Sequence, residues 1–241
     1  MTGTPDESGS PTDSIRATYA SYDLDPARQR AWRPTEPLEV FYRLGRISTL
    51  ARLLRVVGSS LEDAVVLDVG CGYGRSLVDL MVLGADPGRL HGIDVLPDRV
   101  ERLRRWLPPA NVRSGDAREL PWPDGHFDFV TQFTALSSIP ELRDRRAVVS
   151  EIRRVLRPDG LFFSWDLIAR FGSSPAGLSR KQLVELCQPN IIHAATTGLD
   201  PRIASRVIRR MPMVARNLEQ VGVAPSHLAA VIRFTPQRGG A

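Results

Sequence analysis

The residue types best suited to chemistry begin at a glycine cluster. Gly70, Gly72 and Gly74 stand within five residues, directly after the apolar run Val65–Val69. Glycines so spaced allow tight turns and let a ligand approach the main chain closely. Their order is G-x-G-x-G, whereas a dinucleotide loop asks for G-x-G-x-x-G, and Arg75 occupies the place of its last glycine. Asp68, two residues before Gly70, would repel a pyrophosphate and suits a cationic ligand. Asp94 follows Gly74 by 20 residues, where a carboxylate can accept both hydroxyls of a ribose. Asp116, in Ser114-Gly115-Asp116-Ala117, can accept from an adenine amino group while the Ala117 amide donates to the ring. Taken alone, Asp116 reads as a solvated turn acid; in third place after Asp68 and Asp94 it reads as a ligand contact.

A nucleoside that carries positive charge and no phosphate answers this description. S-adenosylmethionine, with its ammonium and sulfonium, is therefore the expected cofactor. Asp94 alone does not discriminate, because NAD enzymes use the same device. An NAD(P)-dependent oxidoreductase is nevertheless disfavoured by the glycine spacing, by Asp68 and by the lack of a Tyr-x-x-x-Lys pair, Lys181 being the sole lysine. The four histidines, His91, His126, His193 and His227, are scattered, so no metal site is expected.

These residues need elements that bring them to one place. Ala64–Val69 is a short β-branched run ending in glycines, a buried strand. A helix over 73–83 follows, then a strand over 90–95 and a helix over 97–107 opened by Pro97. Strands are expected over 111–115 and 127–133, and an amphipathic helix over 141–157. Pro158-Asp159-Gly160 is read as the turn into a strand over 161–167. Strand and helix alternate at α/β periods, which implies parallel strands with crossover helices. Beyond this lie a helix over 178–186, a strand over 190–196, an interrupted helical stretch over 201–221 and a last strand over 226–234. Ahead of it, Phe41, Leu44, Ile47, Leu50, Leu53 and Leu54 recur as one helix face. The expected organisation is a disordered tail (1–14), an N-terminal helical cap (15–60), one α/β domain (61–236) with a helical insertion (197–222), and a short tail (237–241).

Five segments in order resemble the motifs of class I S-adenosylmethionine-dependent methyltransferases, in the branch with small-molecule and quinone-biosynthesis members. They are Val65–Gly74, Gly92-Ile93-Asp94, Gly115–Pro121, Asp124–Asp128 and Arg154–Gly160. The resemblance covers about residues 60–168, with Asp159 where the family often has a second glycine. It implies a Rossmann-like, seven-stranded, mostly parallel sheet with helices on both faces and an antiparallel last strand. It also implies that Asp68 and Gly70 lie near the methionine part of the cofactor, with Cys71, Gly72 and Gly74 binding the cofactor beside them. Asp94, with Val95 beside it, would hold the ribose, Asp116 and Ala117 the adenine, and Gln132 would face both cofactor and acceptor. Tyr19 and Tyr22 read equally as a lid on the sulfonium and as packing of an N-terminal helix.

Methyl transfer from a sulfonium is an in-line displacement that needs alignment, exclusion of water and, for a hydroxyl acceptor, a general base. Asp166, at a strand end beside Trp165, and His193, in the sixth strand, are the candidate bases. Each has a bland reading, a strand-end acid bonded to backbone and a buried structural histidine; His227 reads as structural. The Asn/Asp-Pro-Pro-aromatic stretch of nucleic-acid amino-methyltransferases is absent after the fourth strand, and neither Cys71 nor Cys187 suits cytosine-C5 chemistry. Phe133, Thr134, Ser137 and Trp165 instead suggest a small organic acceptor. Ile203, Val207, Met211, Val214 and Leu218 would give the insertion an apolar face over that acceptor; a homodimer contact or a plain capping helix are the other readings.

The composition fits that picture. The chain has 241 residues, 42% hydrophobic and 24% charged, ample for a core. No stretch approaches the roughly 20 apolar residues of a membrane span, the first 13 residues do not read as a secretory signal, and two cysteines make no disulfide framework, so a cytoplasmic protein is expected. The net charge is +5, and 31 of the 32 basic residues are arginine, a habit of composition more than of phosphate binding. Nucleic acid is thus the minor reading of the partner. The expected function is O-methylation of a hydroxyl on a sugar or secondary metabolite. Carbon methylation of a quinone or lipid is the alternative within the class, and a non-catalytic RNA-binding relative lies outside it.

Overall fold

The computed structural model describes residues 11–168, 177–187 and 191–234. Residues 1–10 and 237–241 of the expected tails, and Asn190 of the sixth expected strand, lie outside these. Three helices lead: α1 (Pro11–Asp23), α2 (Pro26–Ala31) and α3 (Pro37–Val56). Helix α1 takes in residues 11–14, which the sequence reading assigned to a disordered tail. Proline sits at the first position of α2 and α3, where its missing N–H costs nothing, and the Asp25 carboxylate caps α2 by accepting from the Ala27 amide at 2.9 Å. In α3 the buried stripe runs through Phe41, Gly45, Thr49 and Leu53. Leu44 falls outside it and is 54% exposed, contrary to the expected face.

The sheet is built from β1 (Val66–Val69), β2 (Leu90–Asp94), β3 (Asn111–Ser114), β4 (Phe127–Phe133), β5 (Leu156–Leu167), β6 (Ile191–Thr197) and β7 (His227–Ile232). Their order is β3-β2-β1-β4-β5-β7-β6. The pairs β1–β2, β1–β4, β2–β3 and β4–β5 are parallel, and β7 runs antiparallel to both β5 and β6. Helices α4 (Arg75–Val82), α5 (Pro97–Trp106), α6 (Leu142–Val155) and α7 (Arg180–Cys187) complete the crossovers. The turn expected at Pro158-Asp159-Gly160 lies inside β5, as a register break: Phe127 pairs with Leu156 and Phe129 with Leu161.

Period-2 alternation divides the apolar side chains between two cores. Val66, Phe129, Phe163 and Trp165 pack with Leu50, Leu53, Leu77 and Leu80. Leu67, Val69, Val130 and Phe162 pack with Val148 and Ile152 on the other face. Each such fully buried side chain contributes roughly 1.5–3 kcal/mol. The insertion between β6 and β7 folds as α8 (Pro201–Val207) and α9 (Pro212–Gln220). Its apolar positions do not form one face. Ile203, Val207 and Leu218 pack around Phe41 and Leu199, while Met211 and Val214 point outward, 57% and 37% exposed. No described helix is long and apolar enough to cross a membrane, and no described cluster of His, Cys, Asp and Glu could hold a metal.

Candidate active site

Where β1, β2 and β3 end, the chain opens into a cavity of about 680 Å³. Gly70, Gly72 and Gly74 turn with φ of 76°, 51° and 81°, a region other residues enter only with strain. A Cβ at Gly70 would lie 2.8 Å from that of Ala135, so the loop is also pressed against the turn that follows β4. The Gly72 amide donates to Asp94 Oδ2 at 2.8 Å and the Leu96 amide to Oδ1 at 2.9 Å. Burial raises the Asp94 carboxyl above its ordinary range, and those two amides pull it back. Asp94, Val95, Leu96, Gly115, Asp116 and Ala117 share one wall with Gly70, Cys71 and Gly72. Asp116 is no bare turn acid. It accepts from the Arg118 amide at 2.8 Å and pairs with the Arg118 guanidinium, which also reaches Asp144 at 3.0 Å.

Four expected site residues lie behind the wall instead of in it, Gly74 among them, where a Cβ would meet Leu103 and Trp106 of α5. Asp68 is buried beneath the loop, accepting from Thr131 Oγ1 at 2.7 Å and from the Ser76 hydroxyl. Burial pushes its carboxyl up to about 7, against those hydrogen bonds. Gln132 is fully buried: its amide donates to Ser164 Oγ and Asp166 Oδ2 at 2.7 and 3.1 Å, and its oxygen accepts from the Ala135 amide at 2.8 Å. Asp166 accepts from the Ser137 and Leu167 amides at 3.1 and 2.8 Å, and burial pushes it up to about 6. For Asp166 and Gln132 strand alternation is the cause. Trp165 and Leu167 face the cavity, so Asp166 between them, like Gln132 one residue before Phe133, faces the opposite core. These carboxyl and amide groups hold the Thr134–Ser138 turn. His193 is displaced as well. It pairs with Val231 in the middle of the edge strand β6, remote from the strand's carboxyl end, and does not line the cavity.

The second half of the cavity comes from distant parts of the chain: Tyr42, Arg43 and Arg46 on α3, Phe133 and Thr134 after β4, Trp165 and Leu167 on β5, and His227 on β7. The Trp165 and His227 rings stack at 3.7 Å between centroids and 14° between planes, and Tyr42 meets His227 edge-on at 5.3 Å. Ser226 Oγ lies 2.7 Å from His227 Nδ1, so Nε2 is the ring nitrogen left for a ligand. Burial, helped by the Arg46 charge, pushes the imidazole down to about 3. Trp165 Nε1 is buried without a partner among the described residues. Arg43 and Arg46 both bond Asp79, with Nε at 2.6 and 3.1 Å, and the Arg46 guanidinium lies 5.0 Å above the Phe133 ring centre. Thr134 stands at φ 63°, an uncommon conformation for a β-branched residue. Tyr19 and Tyr22 line the cavity too. Tyr19 Oη lies 2.8 Å from Ser138 Oγ, and the Arg99 guanidinium sits 4.6 Å over the Tyr19 ring.

Sequence reading missed Tyr42, Arg43, Arg46 and His227. The arginines resemble any solvated helix face, and only their i, i+3 spacing toward one side hinted otherwise. Of the insertion expected to cover the acceptor, no residue from 198 to 226 lines the cavity. Its Ile203, Val207 and Leu218 pack instead around Phe41 of α3 and Leu199.

Residues 67–164 match the family described as methyltransferase domain. The chain is 34% identical over 127 residues to the O-methyltransferase cnsE of Penicillium expansum, covering 49% of this chain and 44% of that protein. It is 32% identical over 113 residues to the sterol 4-C-methyltransferase strm-1 of Caenorhabditis elegans, covering 44% and 32%. The chain thus spans less than half the length of these relatives in the matched region. Its fold is similar to that of the 1,6-didemethyltoxoflavin-N1-methyltransferase of Burkholderia thailandensis, with a TM-score of 0.61 at 18% identity, over 98% of this chain and 92% of that one.

Proposed function

We propose that the chain is a class I S-adenosylmethionine-dependent methyltransferase that methylates a hydroxyl of a small organic molecule held between Tyr42, Phe133, Trp165 and His227. The observation that carries this reading is the continuity of one cavity from the glycine loop and Asp94 to the Trp165–His227 wall. Its volume, about 680 Å³, is in the range of small-molecule sites.

The residues present fit the cofactor. Acidic side chains, Asp94, Asp116 and Asp144, line the nucleoside end, and Gly70 and Gly72, both at positive φ, border the cavity with bare main chain. Asp94 would accept from the ribose, Asp116 and Ala117 would border the adenine, and Arg43 or Arg46 would take the carboxylate of the methionine part. Asp68 and Gln132 act through others, Asp68 by supporting the loop and Gln132 by fixing the Thr134–Ser138 turn. When bound, S-adenosylmethionine supplies an activated methyl group. The chain supplies alignment, for which well-oriented reactions gain roughly 7–11 kcal/mol, and an aromatic enclosure against water.

His227 replaces Asp166 and His193 as the group that handles the acceptor's proton. It is held neutral, and in the tautomer whose Nδ1–H donates to Ser226 Oγ, Nε2 accepts a hydrogen bond from the acceptor hydroxyl. As the oxygen gains a methyl group its proton becomes strongly acidic and passes to Nε2, which suffices even as a weak base. The related proteins named above act on oxygen, carbon and nitrogen, so the acceptor atom is read here from His227 and not from them. Incubation with methyl-labelled cofactor and a panel of phenols, sugars and polyketide alcohols tests this: the label should appear on oxygen. Label on carbon would overturn the hydroxyl assignment, and failure to bind the cofactor in calorimetry would overturn the reading as a whole.

A further inference from the structure

The turn between α8 and α9 is an exposed run with two kinds of side chain. Arg209, Arg210, Met211, Pro212, Met213 and Val214 are all exposed, with Met213 73% exposed. Arg206 and Arg202 lie exposed one and two turns earlier on α8. None of these four arginines has a carboxylate partner among the described residues. From Pro201 to Gln220 the chain has five arginines and one acid, Glu219, and Glu219 is taken by Arg216 at 2.6 Å. The foot of the hairpin is firmly seated. Glu219 also accepts from the Gly198 amide at 2.8 Å, Arg216 donates to the Phe41 carbonyl at 2.8 Å, and Tyr42 donates to the Leu199 carbonyl at 2.5 Å. Its tip is therefore an apolar knob on a fixed base, ringed by uncompensated positive charge.

We infer that this tip docks on an anionic lipid bilayer, with Met211 and Met213 entering the acyl boundary and Arg202, Arg206, Arg209 and Arg210 engaging headgroup phosphates. Charge complementarity and the apolar knob point to the same occupant. Arginine alone would suit nucleic acid, but the patch offers no aromatic ring for base stacking, and two exposed methionines gain nothing on a phosphate groove. A bilayer accepts both: apolar side chains bury below the headgroups, and basic ones are attracted to the charged surface. The placement has a consequence for the cavity. Strand β6 runs parallel to β5, because both oppose β7, so the hairpin leaves the sheet at the same carboxyl edge as the glycine loop. Docking brings that edge toward the lipid.

The test is co-sedimentation of the full chain with vesicles of phosphatidylglycerol and phosphatidylcholine in equal parts, against vesicles of phosphatidylcholine alone. The protein should partition onto the anionic vesicles and be released by salt. Arg209→Gln with Arg210→Gln should weaken partitioning about 30-fold, from ~1 kcal/mol per basic residue at such a surface. Met211→Ser with Met213→Ser should remove the part that survives salt. All four side chains are exposed, so melting curves of both variants should match the wild type. Absence from anionic vesicles, equal partitioning of the arginine variant, or retention of a single-stranded RNA oligonucleotide in place of vesicles would each overturn the inference.

Discussion

The two halves of the cavity are made differently. Its nucleoside half is mostly main chain and short polar side chains at the ends of three adjacent strands: Gly70–Gly74 after β1, Asp94 closing β2, Asp116 and Ala117 after β3. Its other half is side chain, gathered from α3, β4, β5 and β7 across 185 positions of sequence from Tyr42 to His227. The first half must present one ligand in one pose, and backbone geometry is hard to vary without cost. The second half is a set of replaceable rings and guanidinium groups, whose exchange would alter the acceptor and leave the sheet intact.

The comparison breaks most readily at His227. Its replacement by Ala should lower kcat by roughly 10²–10⁴-fold while calorimetry finds the cofactor affinity little changed; equal turnover would place the chemistry elsewhere. Because the imidazole is pushed down to about 3, kcat of the wild type should show no histidine inflection between pH 5 and 8. Next in size is the converse test. Asp94→Ala should cost about 1.5–3 kcal/mol of cofactor binding, some 10- to 150-fold, and Asp94→Asn less. A wild-type dissociation constant for Asp94→Ala would detach the ribose from this half.

Asp68 sharpens the contrast through pH. Its folded-state pKa of about 7 exceeds the unfolded value of 3.8, so the folded state holds its proton more tightly. The resulting stabilisation is complete below about pH 4 and is lost as pH rises through 7. Between pH 5 and 8 the wild type should lose up to about 2–3 kcal/mol that Asp68→Asn does not lose, a difference readable in urea titrations at the two pH values. Parallel curves would mean that Asp68 is not buried as described. The smallest effect belongs to Thr134. Thr134→Gly should relieve its φ of 63° and raise stability by about 1 kcal/mol, at the expense of acceptor KM; a lower melting temperature would show that the turn carries no strain.

The same contrast explains what could be read from the chain. The strand–glycine–helix pattern around Gly70, the spacing to Asp94 and the alternation of elements are local, so the seven-stranded sheet and the nucleoside wall follow from short stretches. Asp166 and Gln132 went astray because a residue's place at a strand end says nothing of which face it takes, and His193 because its strand is the edge strand, far from the cavity. One step of the pleat sends Trp165 into the cavity and Asp166 away from it. His227 was read as structural because its worth depends on Trp165, Tyr42 and Ser226, which no spacing links. Met211 was assigned to a lid because periodicity cannot tell a face against α3 from one open to solvent.

The strand order carries a consequence for how the molecule is assembled. The last described strand, β7, is an interior strand of the sheet, and β6 has no other neighbour among the described strands. As the chain leaves the ribosome, β1 to β5 can pair while β6 waits unpaired. The edge of β5 stays open until residues 227–232 emerge. The nucleoside wall is then complete well before His227 arrives to stack on Trp165. Pairing over so long a separation is slow, and the waiting edges are prone to association. Nascent chains should therefore acquire the ability to bind the cofactor early and become safe from aggregation late.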